Sequence, residues 1–180
     1  MARRCSMVYK YHGSAMNIDV QRANYLDPQQ AADIVFLLDG YATDPMGGGE
    51  ALTPYVRQNL VATLATLPHA LTVLCYVDGR PAGLANCFEG FSTFSCRKLL
   101  NIHDIAVLAE FRGLGLSQHL LRAVEGEARE RGCAKLTLEV LEGNAPARAA
   151  YEKLILDWRF FRSYAQRTSR TIPVFRLVDL

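Results

Sequence analysis

The chain has 180 residues, 50% hydrophobic and 21% charged, the makeup of an ordinary globular protein whose length suits one domain with its own core. Its 20 Lys and Arg against 18 Asp and Glu leave a formal charge of +2, so composition gives no reason to expect nucleic acid or an anionic membrane as a partner. The five cysteines (Cys5, Cys75, Cys87, Cys96, Cys133) show no metal-type or redox-type pairing. With no apolar run near the roughly 20 residues that cross a bilayer, and no secretory pattern at the start, they predict free thiols in a cytoplasmic protein.

Residues 1–15 show little hydrophobic period and are expected to be a disordered leader or extension, leaving a single domain over 16–180. Met16 to Ala23 alternates Ile18 and Val20 with Asp19 and Gln21, which predicts a strand; Pro28 then opens a helix carrying Ile34, Val35, Leu37 and Leu38. Pro45 and Gly47 to Gly49 predict a mobile loop over Thr43 to Glu50. A second helix runs from Pro54 with Val56, Leu60, Leu64 and Leu67 at near-helical spacing and closes before Pro68. Ala70 to Val77, the turn signal Asp78-Gly79, and Ala82 to Phe88 read as a hairpin of antiparallel strands. Leu99 to Val107 is the next strand. A helix follows from about Leu116 to Arg131, with Leu116, Leu120, Val124 and Ala128 on one stripe and Gly132 placed to end it. Lys135 to Leu141 alternates again, so this half reads strand, helix, strand: a crossover with parallel strands. A short helix from Asn144 to about Leu154 and two further strands complete the chain.

The chemistry is concentrated where Asn101-Ile102-His103-Asp104-Ile105-Ala106-Val107 gives way to Arg112-Gly113-Leu114-Gly115-Leu116-Ser117 at the mouth of a helix. The first amides of a helix have no internal partner and sit at the positive end of its dipole, so clustered N–H groups there can hold a phosphate. Gly113 and Gly115 let the backbone approach closely, and Arg112 adds a fixed positive charge. A Walker loop would need a lysine after the last glycine, and a dinucleotide fingerprint a third glycine three residues after Gly115. Neither is present.

The Arg-x-x-Gly-x-small pattern, followed at the expected distance by Asn144-Ala145-Pro146-Ala147-Arg148-Ala149-Ala150-Tyr151-Glu152-Lys153-Leu154, resembles the GNAT superfamily of acetyl-CoA-dependent N-acetyltransferases. The likeness is detailed from about Asn101 to Leu154 and covers Met16 onward by element order. It implies an α/β fold: a mixed, mostly antiparallel sheet with a central parallel pair of splayed strands and helices on both faces. It further implies acetyl-CoA as cosubstrate, with no metal. Ile105 and Val107 would offer strand backbone to the pantetheine arm, and Arg112, Gly113, Leu114, Gly115, Leu116 and Ser117 would hold the pyrophosphate. Asn144 would contact the cofactor arm, and Tyr151 would lie near the sulfur. Asn144 and Tyr151 share a face, since seven residues on a helix return to within roughly 20° of one direction.

The reaction implied is transfer of acetyl to a primary amine of a small molecule or peptide, with no nucleic acid or membrane involved and a homodimer expected of such exposed strands. An alkyl ammonium with a pKa of about 10 must lose a proton before attack, and a departing thiolate benefits from a donor. Tyr151 is the candidate acid. His103 is the candidate base, in a string similar to a His-x-His-x-Leu-Ala-Val pattern within the family, with Asn101 at the first histidine; Asp104, expected to face away by strand alternation, comes second. The same cradle would equally serve a non-catalytic acyl-CoA-binding or sensor module, or an acyltransferase using another acyl chain or a hydroxyl acceptor. Asp39, Asp44 and Glu50 hint at a cationic acceptor. Ser117 stands where the family has Gly or Ala, and Leu154-Ile155-Leu156 lacks the family's helix-ending glycine, which leaves the path beyond Ile155 open.

Overall fold

Residues 5–11, 14–140, 144 and 174–179 are described by the structure, a computed structural model. Their strands form one sheet in sequence order: β1 (Cys5–Tyr11), β2 (Ser14–Arg22), β3 (Ala70–Val77), β4 (Arg80–Ser92), β5 (Arg97–Val107), β6 (Lys135–Glu139) and β7 (Val174–Asp179). Neighbours are antiparallel except β5 and β6, which are parallel. Helices α1 (Pro28–Ala42) and α2 (Pro54–Thr66) lie between β2 and β3 in the chain, and α3 (Leu116–Glu130) makes the crossover from β5 to β6. This is the mixed sheet with one parallel pair that the sequence predicts.

Both early helices start where proline follows a capping side chain. Asp27 accepts from the amides of Gln29 and Gln30 ahead of Pro28, and Thr53 accepts from the Val56 amide ahead of Pro54, satisfying donors that the first turn leaves open. Two cores flank the sheet. On one face Leu116, Leu120, Leu121, Val124 and Ala128 of α3 pack with Ile18, Val20, Leu71, Val73, Cys75, Cys87, Leu100 and Ile102. On the other, Ile34, Leu37 and Val61 pack with Leu74, Tyr76 and Leu84. The alternation of inward residues on β3 and β4 thus serves both faces, which is why β3 is buried along its whole length.

Three expectations change. Residues 1–15 are not all outside the fold: Cys5–Tyr11 pairs along β2 from Cys5↔Val20 to Tyr11↔Ser14, because backbone pairing does not require a hydrophobic period. Strand β4 runs on past Phe88 to Ser92 and β5 begins two residues before Leu99, the two pairing through Ser92↔Arg97. The Thr43 to Glu50 segment is knitted to itself, with the amides of Gly47 and Gly49 bonding the Asp44 carbonyl and that of Glu50 bonding Ala42. At Gly47 a Cβ would meet the Tyr41 carbonyl oxygen at 1.9 Å, so only glycine allows this fold-back. The helix expected from Asn144 to Leu154, apart from Asn144 itself, and the first of the two final strands lie outside the described residues.

Candidate active site

The parallel pair is short. Strand β6 pairs with β5 only at Leu100↔Leu136, Asn101↔Thr137 and Ile102↔Leu138, reinforced by Asn101 Nδ2 donating to Thr137 Oγ1 at 3.0 Å. Beyond Ile102, β5 continues to Val107 along β4 alone. Among the described residues no strand lies on its other edge, so a slot opens beside Ile105 and Val107.

At the end of that slot the chain makes a single 3₁₀ turn over Ala109–Phe111, then enters α3 through Gly113 (φ +84°) and Gly115 (φ +74°). Gly115 is the N-cap residue and supplies no side-chain bond. Among the described residues no acceptor takes the amides of Gly113, Leu114, Gly115, Leu116 or Ser117; the first bond after Arg112 is Gln118 N–H to the Gly115 carbonyl. A glycine in place of a side-chain cap costs a helix only a few tenths of a kcal/mol. Burying Leu116, Leu120 and Leu121, each at most 1% exposed, contributes about 1.5–3 kcal/mol apiece, so packing holds the helix in place while its first amides stay open. A Cβ on Gly113 or Gly115 would meet nothing within 4 Å. The glycines are therefore demanded by the left-handed backbone, and the space above them is clear for a ligand. Five free N–H groups at a helix start fit a diphosphate.

These elements enclose a cleft of about 520 Å³ lined by Ile105, Ala106 and Val107 of β5, by Arg112, Gly113, Gly115, Leu116 and Ser117, by Asn144, and by Tyr41, Asp44 and Met46 of the α1 end. Nearly all the cradle and slot residues expected from sequence are thus together; Leu114 turns its side chain to the α3 core, and Tyr151 lies outside the described residues. Arg112 is not an isolated cation. Its Nε donates to the Val107 carbonyl at 3.2 Å and its Nη2 to Asp44 Oδ2 at 2.6 Å. That bond, helped by the Met46 amide, holds the Asp44 carboxyl below the usual carboxylate range. Asp39, by contrast, is committed to structure, accepting from the Leu52 amide and Arg57.

The expected orientation of Asp104 is corrected. The β4–β5 register steps from Asn86↔Asp104 to Cys87↔Ile102, leaving His103 as the extra residue of a bulge. The exposed His103 ring meets Phe88 edge-on at 5.7 Å between centroids, while Asp104 Oδ2 accepts from Asn86 Nδ2 at 3.1 Å. Asn86 and Phe88 are two apart on β4 and so point the same way; His103 and Asp104 therefore both look to the α1/α2 side. Tyr41, missed in the sequence, borders the cleft there. Burial first, then the charges of Asp104 and Asp44, push its hydroxyl pKa up.

None of Cys75, Cys87, Cys96 and Cys133 is placed to act as a nucleophile. Burial pushes the Cys75 thiol up to about 12 and the Cys87 and Cys133 thiols upward too, and the exposed Cys96 sits on the β4–β5 turn.

Residues 37–155 match the family model for the acetyltransferase (GNAT) family. Streptothricin acetyltransferase of Streptomyces lavendulae is 40% identical over 77 residues, 43% of this chain and 39% of that protein. Thialysine N-epsilon-acetyltransferase of Bos taurus is 32% identical over 108 residues, 60% of this chain and 58% of its own length. The chain thus spans about half the length of these relatives or less. A crystal structure of an aminoglycoside acetyltransferase from an uncultured soil metagenomic sample, in complex with trehalose, superposes with a TM-score of 0.66 over 85% of this chain and 97% of that one, at 13% identity, a likeness of fold. With the two sequence blocks, the short parallel pair and the open amides now matched by a family model over most of its length, the chain belongs to the acetyltransferase (GNAT) family.

Proposed function

We propose that the protein moves the acetyl group of acetyl-CoA directly to a primary amine of a small molecule or peptide, in a ternary complex and without an acyl-enzyme. The observation that carries this reading is the run of five amides, Gly113 to Ser117, that are unpartnered among the described residues, at one end of a strand edge unpaired among them. Together they suit a donor with a diphosphate at one end and an amide-bearing arm along the other. Arg112 stands beside the diphosphate site, Asn144 beside the arm, and a strand N–H near Ile105 to Val107 would steady the negative charge that develops on the thioester oxygen. Tyr151 would return a proton to sulfur. The buried, high-pKa thiols support the direct route.

An amine acceptor accords with relatives named for streptothricin and thialysine. The test is release of free thiol from acetyl-CoA across amines, amino acids, peptides and aminoglycosides, alongside protection of the fold against heat by coenzyme A. Thiol release with at least one amine and a raised Tm with coenzyme A are expected. Tyr151→Phe should lower kcat by about 100-fold, the scale of a lost general acid, and unchanged turnover would remove Tyr151 from that role. Protection without thiol release from any acceptor would instead make the protein an acyl-CoA-binding module.

A further inference from the structure

A buried chain of polar side chains crosses three strands and ends at Asp104. Thr72 Oγ1 donates to Asn86 Oδ1 at 2.7 Å, so its own oxygen is left to accept from the Tyr25 hydroxyl at 3.0 Å, and Asn86 Nδ2 donates onward to Asp104 Oδ2 at 3.1 Å. Every donor points toward the carboxylate. Thr72 is 1% and Asn86 4% exposed, and linked buried hydrogen bonds of this kind hold their members in one orientation. The buried side-chain atoms without a partner among the described residues are Asp19 Oδ1 and Arg131 Nε. Asp104 Oδ1 takes no hydrogen-bond partner among the described residues and is not among these fully buried atoms, and Asp104 itself is only half-buried.

Asp104 directly follows the bulged His103 and precedes Ile105 and Ala106 of the cleft wall in the chain. The titratable groups around Asp104 are His103 beside it on β5, Tyr41 of α1 and Cys87 of β4. His103 is the less constrained alternative: it is exposed, meets only the edge of Phe88, and no hydrogen bond among the described residues sets its tautomer.

We infer that Asp104 is the group that takes the acceptor's proton, and that Asn86, Thr72 and Tyr25 are positioning residues that hold its other oxygen. This rests on the acetyl-transfer reading above. The acceptor ammonium gives one proton to Oδ1, leaving a neutral amine and a carboxylic acid. The nitrogen lone pair then forms the C–N bond at the thioester carbonyl carbon, and the C–S bond breaks with its electron pair going to sulfur. A second nitrogen proton is lost as the amide forms, sulfur takes up one proton to leave as the thiol, and Asp104 returns its own to solvent. Ammonium and thioester thus become amide, thiol and one released proton.

The experiment compares the full chain with Asp104→Asn, His103→Gln, Asn86→Ala, Thr72→Val and Thr72→Ser. Asp104→Asn keeps the acceptor atom for Asn86 and is expected to retain heat protection by coenzyme A while losing about 100-fold in kcat at neutral pH. That deficit should shrink as pH approaches the amine's own pKa of about 10, where the acceptor is already neutral; a purely structural defect would persist at every pH. Independently of turnover, the acceptor amine titrated calorimetrically into coenzyme A-saturated protein should bind roughly ten-fold more weakly to the variant, as expected for a lost charged hydrogen bond. Asn86→Ala and Thr72→Val should lower kcat by up to about 100-fold, the scale of a small misplacement, with KM for acetyl-CoA unchanged and Thr72→Ser restoring it. If Asn86→Ala yields no coenzyme A-protectable protein, the Thr72 pair carries that arm.

Wild-type kcat and an unchanged pH profile in Asp104→Asn would overturn the assignment, and loss of the alkaline-dependent limb in His103→Gln alone would move it to that residue. If wild-type protein binds coenzyme A but releases no thiol with any amine, the transfer reading fails. Unaltered ammonium affinity in Asp104→Asn would then sink this proposal as well.

Discussion

Arg112 Nη2 donates to Asp44 Oδ2 at 2.6 Å, so this cation at the mouth of the amide cradle is engaged by a carboxylate from the loop after α1. The Asp44 carboxylate thus already engages the guanidinium that a bound anion at this helix start would compete for. The Arg112 side chain is 56% exposed, and an exposed pair of this sort contributes about 0.2–1 kcal/mol.

Competition between Asp44 and phosphate predicts that Asp44→Asn binds coenzyme A about two- to five-fold more tightly at low salt, with the difference fading at high salt, whereas Arg112→Ala binds more weakly. Isothermal titration checks both. Because the Asp44 pKa is lowered in the folded protein, its contribution to stability is present above the unfolded carboxylate value of about 3.9 and is lost as pH falls through the lower folded value. Stability curves of Asp44→Asn and wild type should therefore differ near neutral pH and converge in acid.

Gly115 holds φ +74° with open space around it, so the cost of Gly115→Ala is conformational rather than steric. A non-glycine residue in this region costs about 1–2 kcal/mol, expected as a fall of roughly 2–8 °C in Tm for a chain of this size. The turn would also relax, so calorimetry should show weaker coenzyme A binding. An unchanged Tm together with unchanged affinity would mean that the left-handed turn is not needed.

Tyr76 donates from its hydroxyl to Oδ2 of the buried Asp33, whose Oδ1 accepts from Gln29 Nε2. Tyr76→Phe removes one of two donors to a carboxylate only 5% exposed. A loss of about 1–3 kcal/mol in urea unfolding, with little change in m, is expected.

The thiols should divide by burial. Mass mapping after brief alkylation of native protein should find Cys96 labelled and Cys75, Cys87 and Cys133 protected until denaturant is added. Labelling of Cys87 at the rate of Cys96 would contradict the packing described.

The amino-acid order was sufficient to mark most of the elements and the family. Apolar spacing with Pro28 and Pro54 marked two helices, Asp78-Gly79 marked the hairpin, and Arg112 to Ser117 with the Asn144 to Leu154 block marked the family, because these signals are local: a cap, a turn and a glycine each act within a few residues. Chain folding alone decided the rest. A one-residue bulge at His103 brought Asp104 to the same face as its neighbour, which alternation forbids and only the register against Asn86 and Cys87 reveals. The Arg112–Asp44 bond joins residues 68 apart, Thr72 meets Asn86 on the next strand and Tyr25 in the turn before α1, and Cys5–Tyr11 gains its strand from the backbone of β2. Such contacts depend on how strands are brought side by side and in what register, a property of the whole sheet that no stretch of sequence carries by itself.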